Sequence, residues 1–441
     1  MGRLLSDEPI ADLDAYLLGG GGAGLNAATD RAPSDVIDEV DAAGLRGRGG
    51  AGFPTGRKWR SVVEAANEDG APVYIVANGA EGEPGTYKDR VLLERNPYLF
   101  VEGLLIARHA VGAQRAYVGI KSRFTRPLQR LRDALEQVQQ AGWPGAELVE
   151  IVAGPDAYLF GEEKAMLEVI EGKLPLPRIL PPYQTGLFAT MSRSNPTVVN
   201  NIESLAHVAT ILRHGADWFR EVGTDSSPGT MIFTVTGDVG APGVHELPLG
   251  TPLRALLDIT DAGDVLAIYS GTSNAVITPE MLDTPLGFDE MAAIDTGLGS
   301  GGFVVYDTDR CIVKVTATLS RFLALESCGQ CLACKLGTAE IFDRLDALVR
   351  GEGTHADIDE VRRRTETVTD QNRCYLPVGA ALVVRSTIDT FADAFAAHVG
   401  RASDPAVAVP VPKISALDPP TGRVEFDPDY DRKRSDWSYA D

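Results

Sequence analysis

The chain has 441 residues, 44% of them hydrophobic, which suits about two to four domains with packed cores. Its net charge of −21 disfavours nucleic acid and anionic membrane surfaces as partners. No apolar stretch approaches the roughly 20 residues that span a bilayer, so no direct membrane insertion is expected. The N-terminus MGRLLSDEPIADLD carries acids where a secretory leader would be apolar, and five cysteines do not make a disulfide framework. A reducing, cytoplasmic location is therefore expected.

In chain order, residues 1–31 are rich in Gly and Ala and read as a loosely ordered lead-in. SDVIDEVDAAGL, from Ser34, reads as a short helix with a serine N-cap and an acidic first turn. A glycine-rich segment follows, from Gly44 to Gly56. Strand-like runs PVYIVAN (72–78), AYVGI (116–120) and LVEIVAG (148–154) then alternate with helical periodicity over 92–112 and 124–141. GEEKAMLEVIEG (161–172) and NNIESLAHVATILRHG (200–215) add two helices, the second with Ile202, Leu205, Val208 and Leu212 on one face. The alternation predicts an α/β layer with a partly parallel sheet over 32–223.

The composition changes near 224. Strand, turn and short-helix signals predict a small β-grasp-type domain over 228–310. From about 316 to 400 the pattern is helical, a small bundle whose stripe of Val384, Ile388, Phe391 and Phe395 reads as core. Residues 401–441 are rich in Pro and Asp, carry Trp437 and Tyr439, and lack periodicity. They read as a tail that wraps a neighbour or stays mobile.

Within the helical region, SCGQCLACKLG places Cys328, Cys331 and Cys334 at CxxCxxC spacing, with Cys374 further on. A tight triple can grip three corners of a [4Fe–4S] cube while a distant cysteine closes the fourth. Structural zinc more often uses two CxxC pairs or mixed Cys/His sets. A [4Fe–4S] cluster is the expectation, and with it one-electron transfer. Cys311, in the strand-like run DRCIVKV, reads as a small buried hydrophobe.

GLRGRGGAGFPTGRKW (44–59) contains GxGxxG at Gly47, Gly49 and Gly52, but it follows a helix rather than a strand, and Lys58 is followed by Trp59. It is therefore neither a dinucleotide fingerprint nor a P-loop. Converging backbone N–H groups, with Arg46, Arg48, Arg57 and Lys58 nearby, still suit an anion. NGAEGEPGTYKDR (78–90) leaves the end of a strand, where ligands of α/β layers gather, and offers Asn78, Glu81 and Glu83. Glu162 and Glu163 open a helix, as caps or as part of a site.

Taken in order over about residues 32–400, these motifs resemble the NADH-oxidising flavoprotein subunit of respiratory complex I. They also resemble the diaphorase subunits of NAD-linked hydrogenases and formate dehydrogenases. The likeness runs through YxxGEE (158–163), PPY (181–183), NNIES, PGVHELPLGTPLRALL, TGLGSGGFVVYD (296–307) and the cysteine motif. It implies FMN on Gly47, Arg48, Gly49, Lys58, Asn78, Glu81, Gly161, Glu162, Asn200 and Asn201. It implies nicotinamide nucleotide, NAD(H), beside Phe53, Glu83, Glu163 and Tyr183, and a [4Fe–4S] cluster on Cys328, Cys331, Cys334 and Cys374. The chain departs from the family pattern at Ala80, Lys164, Leu180 and Ser61.

The implied activity is hydride transfer from NADH to FMN, with no acid–base side chain, followed by one-electron transfer through the cluster to a partner. The carboxylates predict preference for NADH over NADPH. Two alternatives remain: a diaphorase running in reverse in a formate dehydrogenase- or hydrogenase-like complex, and a non-catalytic flavin/cluster conduit. The implied partners are a small [2Fe–2S] subunit of thioredoxin-like fold and a further iron–sulfur, molybdopterin, hydrogenase or complex I-type subunit. Those partners would place the chain at the inner face of the membrane.

Overall fold

A computed structural model describes residues 3–418 and 421–433. The N-terminal residues are not a loose lead-in. Helices Leu13–Leu18 and Ala23–Thr29 bury Leu4, Leu5, Leu13, Tyr16 and Leu25 in the first core. The next helix, Pro33–Ala42, is capped at Ala32 rather than Ser34, because proline at its first position already has helical φ and needs no N–H partner.

Strands β1 (Tyr74–Gly79), β2 (Arg115–Lys121), β3 (Val149–Gly154) and β4 (Thr197–Asn201) form a parallel sheet in the order β3-β2-β1-β4. Alternate residues feed different cores. Ile75, Ala77, Val118 and Val198 face the helices Pro97–Ala110 and Ile202–His214, whereas Val76, Tyr117 and Val199 face helix Glu163–Ile170 with Phe160 and Met166. This two-sided burial is what a parallel sheet requires. The helical signal over 92–112 is two helices, Lys88–Arg95 and Pro97–Ala110, because Pro97 cannot continue the first and Asn96 caps the second. Asn200 and Asn201 lie on β4 rather than in the following helix, and the Asn201 side chain caps it.

A second, mixed sheet holds β5 (Thr230–Gly237), β6 (Gly243–Pro248), β7 (Val265–Ser270) and β8 (Gly302–Asp307) in the order β6-β5-β8-β7, with only β5 and β8 parallel. Helix Leu253–Ile259 packs on it through Leu253 and Leu256, against Phe233 and Phe303. Five helices follow: Ile312–Glu326, Leu332–Val349, His355–Thr367, Leu376–Thr390 and Ala392–His398. Val384 and Ile388 on the fourth of these helices and Phe395 on the fifth are fully buried, whereas Phe391, at the break between the two, is only partly buried, so the stripe is core but not one continuous helix face. Cys311 is not on a strand. It precedes the first of these helices, half-buried beside Ser403.

Over its described part the tail packs on the chain's own body. β9 (Ile414–Asp418) and β10 (Arg423–Phe426) form a hairpin, and Val411, Ile414, Leu417 and Tyr430 are buried. Trp437 and Tyr439 lie outside the described residues. Among the described residues, no helix is long and apolar enough to cross a membrane.

Candidate redox site

The parallel sheet reverses its strand order between β1 and β4, and in such folds the ligand crevice lies at the carboxyl ends of that switch point. Asn78 of β1 lies in register with Asn201 of β4. The Asn78 amide donates to the carbonyl of Gly161 (2.6 Å), and Trp59 Nε1 donates to the Asn200 side chain (2.8 Å).

The glycine loop sits over this end. Gly47 N donates to Phe53 O (2.9 Å) and Thr55 N to Leu45 O (2.8 Å), closing the loop at the start of helix Thr55–Asp69. Gly52 has φ 61°, a conformation that only glycine adopts freely. A Cβ on Gly49 would come within 3.1 Å of the Asn201 Cβ, so backbone alone fits there. Lys58 reaches across to Val199 O (3.1 Å) and Glu163 (3.5 Å). Glu162 caps helix Glu163–Ile170 by accepting from Lys164 N and Ala165 N, both at 2.9 Å. Burial raises its carboxyl to about 7. Contacts thus join Gly49, Lys58, Asn78, Gly161, Glu163, Asn200 and Asn201 around one crevice, with Gly47 in the loop and Glu162 at the helix start. Phe53 and Tyr183 stand half-exposed.

Three expected site residues point elsewhere. Arg48 is fully buried and donates to the carbonyls of Arg46 (2.8 Å), Pro228 (3.1 Å) and Thr230 (3.2 Å). Its guanidinium fastens the loop to the second sheet, and its charge acts on the buried Glu203 carboxylate. Glu81 accepts from Asp89 N (3.0 Å) and Arg90 Nε (2.7 Å) at the start of helix Lys88–Arg95. Glu83 accepts from Thr272 N and from the Tyr158 hydroxyl, both at 2.6 Å. These carboxylates join elements of the fold. Of the departures from the family pattern, Ala80 is buried against Phe160 and Met166, Lys164 donates to the carbonyl of Arg373, and Leu180 is half-exposed.

Beneath the crevice lies a buried charge group not anticipated from the sequence. Lys88 Nζ is 2.7 Å from Asp89 and 2.8 Å from Glu203, and the Asn201 amide donates to Asp89 (2.7 Å). Burial raises the Asp89 carboxyl to about 6 despite Lys88. Burial also works against Glu203, but Lys88, His207 and Arg48 outweigh it and hold that carboxyl at about 2. The available signal was Glu203 and His207 at i, i+4 inside an otherwise apolar helix.

The four cluster cysteines line one recess with Leu159, Pro177, Ser327 and Leu376. Cys328 and Cys331 come from the turn into helix Leu332–Val349, Cys334 from that helix's first turn, and Cys374 from the turn before Leu376–Thr390. Burial pushes the thiols of Cys334 and Cys374 up to about 11 and about 12. Metal ligation here therefore displaces protons. Among the described residues, no three His, Cys, Asp or Glu groups converge closely enough for a single ion. Four thiols spread around a recess fit the corners of a cube better than tetrahedral zinc.

The two sites meet at one short turn. Leu159 lines the cysteine recess, while Gly161, two residues on, binds Asn78 in the crevice. Tyr158 N, which opens the turn, donates to Glu326 (3.0 Å), two residues before Cys328.

Residues 40–210 match the family described as Nuo51 FMN-binding domain, and residues 314–398 match the NADH-ubiquinone oxidoreductase-F iron-sulfur binding region. The chain is 38% identical over 419 residues to the F 2 subunit of the NADH-quinone oxidoreductase of Rhizobium meliloti (strain 1021), covering 90% of this chain and 97% of that protein. It is 34% identical over 410 residues to the HndC subunit of the NADP-reducing hydrogenase of Solidesulfovibrio fructosivorans, covering 89% and 82%. Its fold matches a chain of the air-oxidised NAD⁺-reducing [NiFe]-hydrogenase with a TM-score of 0.79 and 34% identity, over 90% of this chain and 68% of that one. The glycine loop over a strand switch point fits FMN, the cysteine recess fits a [4Fe–4S] cluster, and the chain belongs to the F-type subunits of NADH-quinone oxidoreductases, flavoproteins that oxidise NADH and pass electrons through that cluster.

Proposed function

We propose that this chain is the electron-input subunit of a multisubunit oxidoreductase, with the flavin in the β1/β4 crevice and the electron exit at Cys328, Cys331, Cys334 and Cys374. The observation that carries this is the turn 158–161, which touches both the crevice and the cysteine recess. Bound FMN supplies the conversion of two-electron hydride chemistry into single-electron flow. The protein's part is positional. The glycine loop offers backbone N–H groups to an anion, Asn78, Asn200 and Asn201 present amides at the strand ends, and Lys58 brings a cation to the crevice wall. Glu81 and Glu83 are engaged inside the fold, whereas Glu163 pairs with Lys58 at a partly exposed position, so it is the carboxylate proposed to meet the nucleotide. It would repel a 2′-phosphate and favour NADH over NADPH. Phe53 and Tyr183 offer exposed rings for stacking.

The domain reading that accompanies this is an FMN/NADH-binding α/β domain over 32–223, a β-grasp-type domain over 228–310 and a helical iron–sulfur domain over 316–400. The order β6-β5-β8-β7 with a parallel central pair supports the second. The partners proposed are a small [2Fe–2S] subunit of thioredoxin-like fold and a further iron–sulfur or hydrogenase-type subunit, which would hold the chain at the inner face of the membrane. The likeness to an NAD⁺-reducing hydrogenase chain favours a second reading, in which the same path runs in reverse to reduce NAD⁺.

Anaerobic stopped-flow mixing of the complex with NADH tests the assignment. Rapid bleaching of the flavin band followed by cluster reduction is expected, and slower bleaching with an equal concentration of NADPH. A flavin that dithionite reduces but NADH does not would refute a working nucleotide site.

A further inference from the structure

The region matching the iron–sulfur family ends at residue 398, yet the chain goes on to build a specific structure over residues 399–418 and 421–433. Four side chains at 4-4-3 spacing, at and along helix Ile312–Glu326, hold the backbone of that tail. Arg310 donates to Ala408 O (3.1 Å), Lys314 to Val407 O (2.6 Å), and Thr318 to Val409 O (3.2 Å). Arg321 donates to the carbonyls of Tyr430 (2.9 Å) and Lys433 (3.0 Å). The tail also crosses to the flavin side. Gly85 N donates to Pro412 O (2.8 Å), Arg90 to Ile414 O (2.9 Å), and Lys413 pairs with Asp156 (3.0 Å).

Two points of this strap, its middle and its last turn, reach the apolar packing around the cysteine recess. Val411 and Tyr430 belong to the same apolar cluster as Leu159, Phe322, Leu376 and Cys334, against which Cys328, Cys331 and Cys374 pack. The Tyr430 ring lies 5.4 Å from that of Phe322. Its hydroxyl donates to Glu326, and Lys433 Nζ stands 2.6 Å from the same carboxylate. Glu326 is almost fully buried and two residues from Cys328. Its other oxygen receives Tyr158 N, and the Tyr158 hydroxyl binds Glu83. A buried carboxylate left without a cation is strongly unfavourable. Here the tail provides the cation and one of the hydrogen bonds.

We propose that the C-terminal strap positions and tunes the cluster, with Tyr430 and Lys433 as positioning residues that fix Glu326 at its rim. Cluster potentials follow net charge, burial and hydrogen bonding. Lys433 offsets a negative charge beside the recess, so it favours the reduced cluster, which carries one more electron. Tyr430 and Val411 thicken the apolar shell. This rests on the electron-input reading only for the source of the electrons.

The test uses the full-length chain in its complex, with Lys433→Met and Tyr430→Phe. Cluster midpoint potential is measured by spin-resonance titration against dithionite, and flavin bleaching by stopped flow with NADH. Lys433→Met is expected to shift the cluster midpoint downward and slow cluster reduction, while NADH bleaches the flavin at the wild-type rate. Tyr430→Phe, which removes one hydroxyl and keeps the ring, is expected to shift it less in the same direction. If both variants retain iron and titrate at the wild-type potential, the strap has no such role. If wild-type flavin fails to bleach with NADH but Lys433→Met still shifts the dithionite titration, the strap stands and the electron-input reading falls.

Discussion

The crevice and the cysteine recess lie two residues apart along the 158–161 turn, yet they are built on opposite terms. The recess presents its diagnostic groups: all four cysteines line it inside an apolar shell. The crevice conceals its most conspicuous ones. Arg48, Glu81 and Glu83 carry the charge of the glycine loop and the strand-end loop, and each is engaged by the protein itself. The strand-end amides, Lys58 and Glu163 also have partners, but Lys58 and Glu163 pair with each other at the partly exposed wall of the crevice rather than inside the fold. A thiol has little use for an internal partner, whereas a buried ion must have one. Cysteines in a motif therefore reveal where they point, and charges in a motif do not.

The sharpest way to break the contrast is Cys374→Ala. If the recess holds one cube on four thiols, iron content and cluster absorbance should fall to a small residue of wild type. The crevice should still bind flavin and bleach it with NADH, because no crevice residue changes. Loss of flavin at the same time would show that the two sites are not separable.

Arg48→Met probes the concealed side. The substitution leaves three carbonyls, two of them buried, without this donor, which should cost on the order of 3 kcal/mol in folding stability. The denaturation midpoint should drop with or without FMN. Had the guanidinium served the flavin phosphate, FMN affinity would fall while the flavin-free protein kept its midpoint.

The same contrast explains what the sequence disclosed. Strand segments, the bundle and most of its core stripe follow from periodicity, since β1, β2 and β3 alternate between two cores and Val384 and Ile388 share a helix face, with Phe395 buried on the next helix. The cluster ligands follow from spacing. The roles of Arg48 and Glu83 do not, because their partners, Pro228, Thr230 and Thr272, lie in another sheet or the loop beside it, far along the chain. The N-terminal helices and the tail were hidden by weak periodicity. Their order comes from long-range contacts such as Tyr16 to Glu102 and Lys433 to Glu326. The spacing of Arg310, Lys314, Thr318 and Arg321 was visible on one helix face, but nothing local says that such a face holds carbonyls rather than water.

The smallest expected effect sits where strap and sheet meet. Lys121 ends β2, fully buried, 3.2 Å from Asp156, with Lys413 also beside that carboxylate. Burial, helped by repulsion from Lys413 and opposed by Asp156, lowers its ammonium from 10.5 to about 8. The folded state therefore holds this proton less tightly than the unfolded chain. Below pH 8 the protein bears the full cost of a buried cation. As pH rises from about 8 to 10.5 the folded ammonium is already neutral while the unfolded one still binds its proton, so stability climbs. Lys121→Met removes the cost and leaves Asp156 paired with Arg123 and Lys413. The variant should gain about 1–3 kcal/mol at pH 7, with the gain shrinking toward pH 10. Denaturant midpoints of the two proteins at pH 7 and pH 9.5 measure it. A loss at pH 7 would mean that the Lys121–Asp156 pair outweighs desolvation, and that the charges on the flavin side of the molecule stabilise it as well as bridge its parts.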